Sequence, residues 1–143
     1  LEDMGWLDGR QSHRKRALER IIADPRLPFE RRDRTIVGLI ARYHRGALPD
    51  PEHKYFGNLA AADQRRVGVL AGILRVADGL DRSHLSLVRA VRCEVSKQSI
   101  GMVCEADESS DEEMAAAKKK ADLLEAVWGR DCDIKVRVKA SKH

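Results

Sequence analysis

Up to about residue 84 the apolar residues recur every three or four positions, and beyond it they alternate. Leu18, Ile21 and Ile22 predict a helix over 12–23, stopped at Asp24-Pro25 because a residue before proline is pushed out of the helical region. Ile36, Leu39, Ile40 and Tyr43 predict a second helix over 30–44, with Gly46 as its C-terminal cap. Pro49, Pro51, Gly57 and Asn58 make 46–58 a loop. In a third helix, 60–82, Val67, Leu70, Ala71, Leu74 and Ala77 share the face expected to be core, and Asp78 and Asp81 continue it. A buried carboxylate is costly without a cation, so a metal ion, an arginine or a histidine is expected beside these two.

The alternating segments predict three strands, around Val91-Cys93-Val95, Ile100-Met102-Cys104 and Ile134-Val136-Val138, with a hairpin turn at Lys97-Gln98-Ser99. Between the last two, Ser110-Asp111-Glu112-Glu113 reads as a capping box in which Ser110 accepts from backbone N–H groups and Glu113 reaches back. The helix it opens carries Met114, Ala117, Ala121, Leu124 and Trp128 on one side and ends at Gly129. The expected class is α+β: a mainly helical domain over 1–85, then a small β-β-α-β domain over 86–143, with the boundary near 84–88.

The chain has 143 residues, 43% hydrophobic and only 4% aromatic, so its core must rest on aliphatic side chains. No apolar run approaches the roughly 20 residues a bilayer span needs, and no basic-then-apolar signal peptide opens the chain. Leu1-Glu2-Asp3-Met4-Gly5 reads as the middle of a longer protein. Cys93, Cys104 and Cys132 form no C-x-x-C pair and are expected to be buried free thiols in a reducing cytoplasm. The net charge of +4 is uneven: 10–45 holds eleven Lys or Arg against four Asp or Glu, a local +7. Such a stretch is either a solvated helical face or a surface that attracts a polyanion.

His44 and Asp78 each end an apolar helix. Joined by Glu2 or Asp3 they would form a mixed N/O site for a divalent ion. The competing reading pairs Asp78 with Arg75, Arg82 or Tyr43, which merely fixes helix ends. His13 and His53 read as surface histidines, and His84 as a cap on the third helix. Arginine forks suit phosphate oxygens, and Arg42 and Arg45 with Arg14, Lys15 and Arg16 are the candidate polyanion-binding residues. No phosphate loop, dinucleotide fingerprint, nucleophile elbow or H-E-x-x-H is present.

The run Leu39-Ile40-Ala41-Arg42-Tyr43-His44-Arg45-Gly46-Ala47-Leu48-Pro49, then His53, Phe56 and Leu59, then Ala71 through His84, resembles the C-terminal half of the exopolyphosphatase / guanosine-pentaphosphate phosphohydrolase family. The resemblance covers most of 1–84, and the β-β-α-β pattern is similar to the small final domain of such proteins. It implies an HD-like helical domain. The HD superfamily holds divalent metal with a His, a His-Asp pair and a later Asp. Asp3 and Asp78 match that pattern, Glu2 stands where the paired histidine would be, and the first His would precede Leu1. The resemblance thus implies Glu2, Asp3 and Asp78; with His44 from the helix-end reading, the candidate metal set is Glu2, Asp3, His44 and Asp78, vestigial or loaded with Mg²⁺ or Mn²⁺.

In that family, phosphate cleavage belongs to N-terminal actin-like domains that are not in this sequence. The implied role is a non-catalytic one: binding polyphosphate or guanosine-pentaphosphate-type phosphates, contacting the chain's own catalytic domains, and forming a cytoplasmic homodimer with no membrane partner. The alternative is an independent metal-dependent HD phosphohydrolase using Glu2, Asp3, His44 and Asp78. A plain nucleic-acid binder would use the same charge but has no recognised motif.

Overall fold

The computed structural model describes residues 15–108 and 110–138. Six helices and a three-stranded sheet follow in the order α1 (the described turns over 15–23), α2 (Arg31–Tyr43), α3 (Lys54–Gly57), α4 (Ala61–Leu80), β1 (Val88–Val95), β2 (Ser99–Ala106), α5 (Asp111–Lys120), α6 (Asp122–Trp128) and β3 (Asp131–Val138). The short α3 interrupts what the prolines and glycine predict as a continuous loop. The chain divides within α4 into two compact units, 1–67 and 68–143.

In the first unit Leu18 and Ile22 of α1 and Ile36, Leu39 and Tyr43 of α2 are buried, the face their spacing predicts. Gly38 lies against the Leu18 side chain, so α1 and α2 cross closely. After His44 the chain turns at Gly46, whose φ of 80° suits glycine.

In the second unit β1 pairs antiparallel with β2, and β2 pairs parallel with β3. The parallel pair requires a crossover, supplied by α5 and α6, two segments divided at Ala121 where one helix is expected. Met114, Ala117, Ala121 and Leu124 pack on Ile100, Met102, Cys104 and Ile134, the inward residues of β2 and β3. Gly129, in the left-handed region, ends α6.

The capping box does not form. Ser110 occupies the N-cap of α5 without a side-chain cap bond, and Glu113 instead accepts from Ser83 Oγ at 3.3 Å. Both side chains are buried, so the local exchange gives way to a contact with the chain beyond α4.

α4 buries only part of the face its apolar spacing predicts: Val67 and Ala71 are fully buried. Leu70 (41% exposed), Leu74 (44%) and Ala77 lie at the surface, and so does Asp81. In the second unit Gly68, Ala71, Gly72, Arg75, Val76, Gly79 and Leu80 face inward. The reason is backbone proximity. A Cβ on Gly72 would stand 3.1 Å from the Leu124 backbone, and one on Gly79 only 2.7 Å from the Ala117 nitrogen. Small residues let whole helices approach, and the combined contact outweighs burying two leucines.

Gly79→Ala is therefore expected to destabilise the protein by about 1–3 kcal/mol despite alanine's better helix propensity. Leu74→Ala, at an exposed position, should cost about 0.5 kcal/mol or less. Urea unfolding of the two variants checks the order.

Candidate functional site

The last turn of α2 presents Arg42, Tyr43 and His44 in succession, and the following loop returns His53 and Phe56 to it. Tyr43, fully buried, meets Phe56 edge-on and stacks on the His53 ring, each at a centroid distance of 5.7 Å. A 2.7 Å hydrogen bond joins the Tyr43 hydroxyl to His53 Nδ1. His53 is thus half-buried and bonded, not the isolated surface histidine its polar neighbours suggest. The Arg42 guanidinium lies over the other ring of the pair, 5.3 Å from the Tyr43 centroid.

Burial pushes the His53 pKa below its ordinary 6.5, with the Arg42 and Lys15 cations pushing the same way against Asp50 and Glu52. Burial likewise raises Tyr43. The imidazole is therefore neutral near pH 7, and the two cations that act on it come from α1 and α2. Arg16 is exposed beside Lys15, and Arg45 is exposed just beyond α2 and has interactions of its own. Arg14 lies outside the described residues.

Nearby in sequence order, Asp63 is 5% exposed at the start of α4. Arg32 grips both its oxygens at 2.9 and 2.8 Å, and Arg66 adds a contact at 3.4 Å. The Arg32 bonds, opposed by desolvation, hold the Asp63 carboxyl below its usual 3.8. No sequence pattern announces the Arg32–Asp63 contact, because the two residues lie in different helices.

Asp78, in the second unit, is half-buried and accepts from Lys120 Nζ of α5 at 2.6 Å. A cation does meet this acid, and Lys120 is a partner the helix-end arginines and Tyr43 do not foreshadow. Arg75 reaches Asp122 at 3.4 Å, and Asp81 meets His84 at 3.4 Å on the surface. His84 thus turns its ring to a carboxylate.

Of the candidate metal residues, Glu2 and Asp3 lie outside the described residues, as does His13. His44 Nδ1 sits 2.5 Å from the Ala41 carbonyl oxygen in the first unit, and Asp78 belongs to the second. Among the described residues no three His, Cys, Asp or Glu side chains are gathered for an ion. The cysteines are all free, and Cys104 is buried, but Cys132 is half-buried and Cys93 is exposed, against the expectation of three buried thiols. No helix of the described residues is long and apolar enough to cross a membrane.

No protein-family model matches the chain, and no curated protein does either.

Acidification should remove stability in two stages. With a folded pKa below its ordinary 6.5, His53 binds fewer protons folded than unfolded, so its contribution, complete above that value, is lost as pH falls towards the folded one. The depressed Asp63 carboxyl adds a contribution present above 3.8 and lost as pH falls through its lower folded value. In urea unfolding, His53→Gln should flatten the first stage and Asp63→Asn the second. Separately, Asp78→Leu strands the Lys120 ammonium and should lower stability by about 1–3 kcal/mol in a thermal melt.

Proposed function

We propose that this chain is a non-catalytic, polyphosphate-binding region that resembles the C-terminal HD-like part of an exopolyphosphatase-type phosphohydrolase, working beside catalytic domains of the same protein in the cytoplasm and as a homodimer. The observation that supports the reading is the Arg42 guanidinium over the Tyr43 ring, 5.3 Å from its centroid, beside the His53 that Tyr43 bonds. Lys15 and Arg42 both push the His53 pKa down, against Asp50 and Glu52. Arg16 and Arg45, adjacent to them in the chain or nearly so, are exposed. The mechanism is electrostatic: cationic side chains track a row of phosphates, and affinity falls as salt screens them. Tyr43 supports this arrangement, since its ring holds Arg42 and its hydroxyl anchors His53.

The Asp78–Lys120 pair favours this over the metal-dependent hydrolase, because a protein cation already answers the acid that would be the later metal ligand. The hydrolase predicts stoichiometric Mn²⁺, Fe or Zn²⁺ in purified protein and turnover lost in Asp78→Ala.

Polyphosphate binding should weaken about tenfold or more when Arg42 and Arg45 are both changed to Glu, with the far-ultraviolet circular dichroism spectrum retained. Wild-type affinity for polyphosphate should fall as salt rises and should exceed that for duplex DNA at the same ionic strength. Unchanged affinity in the double variant, or preference for DNA, overturns the reading.

A further inference from the structure

β1 is an edge strand whose two faces and outer rim are exposed. Its Val91, Cys93 and Val95 stand opposite Cys104, Met102 and Ile100, so they lie on the face of the sheet that packs inward. Yet α5 and α6 cover β3 and leave this part bare: Val91 is 45% and Val95 54% exposed. With Ile73, Ala77 and Leu80 of α4 they line an apolar groove of about 290 Å³. The exposed Leu70, Ile73 and Leu74 continue the apolar surface along α4.

The hairpin defines which groups face out. Ser96 N–H donates to the Ser99 carbonyl at 2.9 Å. Alternation along the antiparallel ladder then turns residues 92 and 94 towards β2 and leaves the N–H and C=O of 91, 93 and 95 pointing off the edge. A bulge between Val88 and Ala90 disturbs only the start of the strand. No proline or lysine blunts 90–95, devices that ordinarily protect an open edge.

We infer that this edge pairs with the same strand of a second copy, antiparallel and centred on Cys93. In that register Val91 faces Val95 of the second copy on the apolar side. Arg92 faces Glu94 of the second copy on the other side, twice by symmetry. Arg92 and Glu94 have no ion-pair partner among the described residues, and their cross-pairs fall at the non-hydrogen-bonded positions where side chains come closest. Centring the pair on Arg92 or Glu94 instead sets like charges opposite each other. A two-fold axis normal to the sheet keeps both α4 helices on one side, so the two grooves adjoin and the Leu70, Ile73 and Leu74 stripes face each other over the joined strands. The partner is thus a second copy of this chain, and the product is a six-stranded sheet. No phosphate ligand is required, so loss of this dimer leaves the polyanion face untouched.

Sedimentation equilibrium of the full chain should give a concentration-dependent dimer. Arg92→Glu should weaken it about tenfold, and combining that change with Glu94→Arg should restore it, because the pairs are merely exchanged. Both residues are exposed, so neither change should disturb the monomer. Diamide oxidation should yield a covalent dimer that Cys93→Ser abolishes, the facing Cα atoms being within about 4.4–6.8 Å of each other. A chain that stays monomeric, a dimer indifferent to Arg92→Glu, a charge exchange that fails to recover, or a dimer that gives no Cys93 cross-link overturns the inference.

Discussion

The closeness of α4 to the backbone of α5 and α6 is the constraint from which the second unit follows. Gly72 and Gly79 admit Leu124 and Ala117 where any side chain would hold them apart. Once the glycine side faces inward, the rotation of α4 is settled. Val76 and Leu80 join the core under β2, Arg75 is carried inside, and Asp78 is brought to the end of α5 where Lys120 waits. The same rotation turns Leu70, Ile73 and Leu74 outward. Their exposure is the counterpart of a tight contact on the opposite side, not a defect of packing.

The first unit is organised differently, around one fully buried phenol. Tyr43 touches an imidazole, a phenyl ring and a guanidinium, and each serves a separate end. Phe56 ties the α3 loop to α2, His53 satisfies the buried hydroxyl, and Arg42 is held over the ring without an ion-pair partner among the described residues. An aromatic support of this kind keeps a cation available to an external anion, which a carboxylate clasp such as Arg32 with Asp63 does not.

What could be read from the residues depended on whether large apolar side chains did the packing. α1, α2 and the α5–α6 stripe of Met114, Ala117, Ala121 and Leu124 bury the faces their spacing indicates, and the strands lie where alternation begins. α4 misled because hydrophobic spacing weighs leucine above glycine, whereas helix contact here selected glycine. Ser110 and Glu113 have the capping pattern, but burial beside Ser83 offers Glu113 a different donor. Arg42 and Lys15 are visible in the sequence as charges, but their action on His53 arises only through the fold. Cys93 looked internal because alternation reveals which side a residue takes and says nothing of whether a helix covers that side.

The parallel pairing of β2 with β3 also orders the assembly of the sheet. The β1–β2 hairpin closes over a few residues, whereas β3 can join only after 107–130 have wound into two helices and crossed back. Closing the longer loop carries the greater entropic toll, so β2 awaits its second neighbour with one flank unsatisfied. During that interval the open flank of β2 is available to other strands.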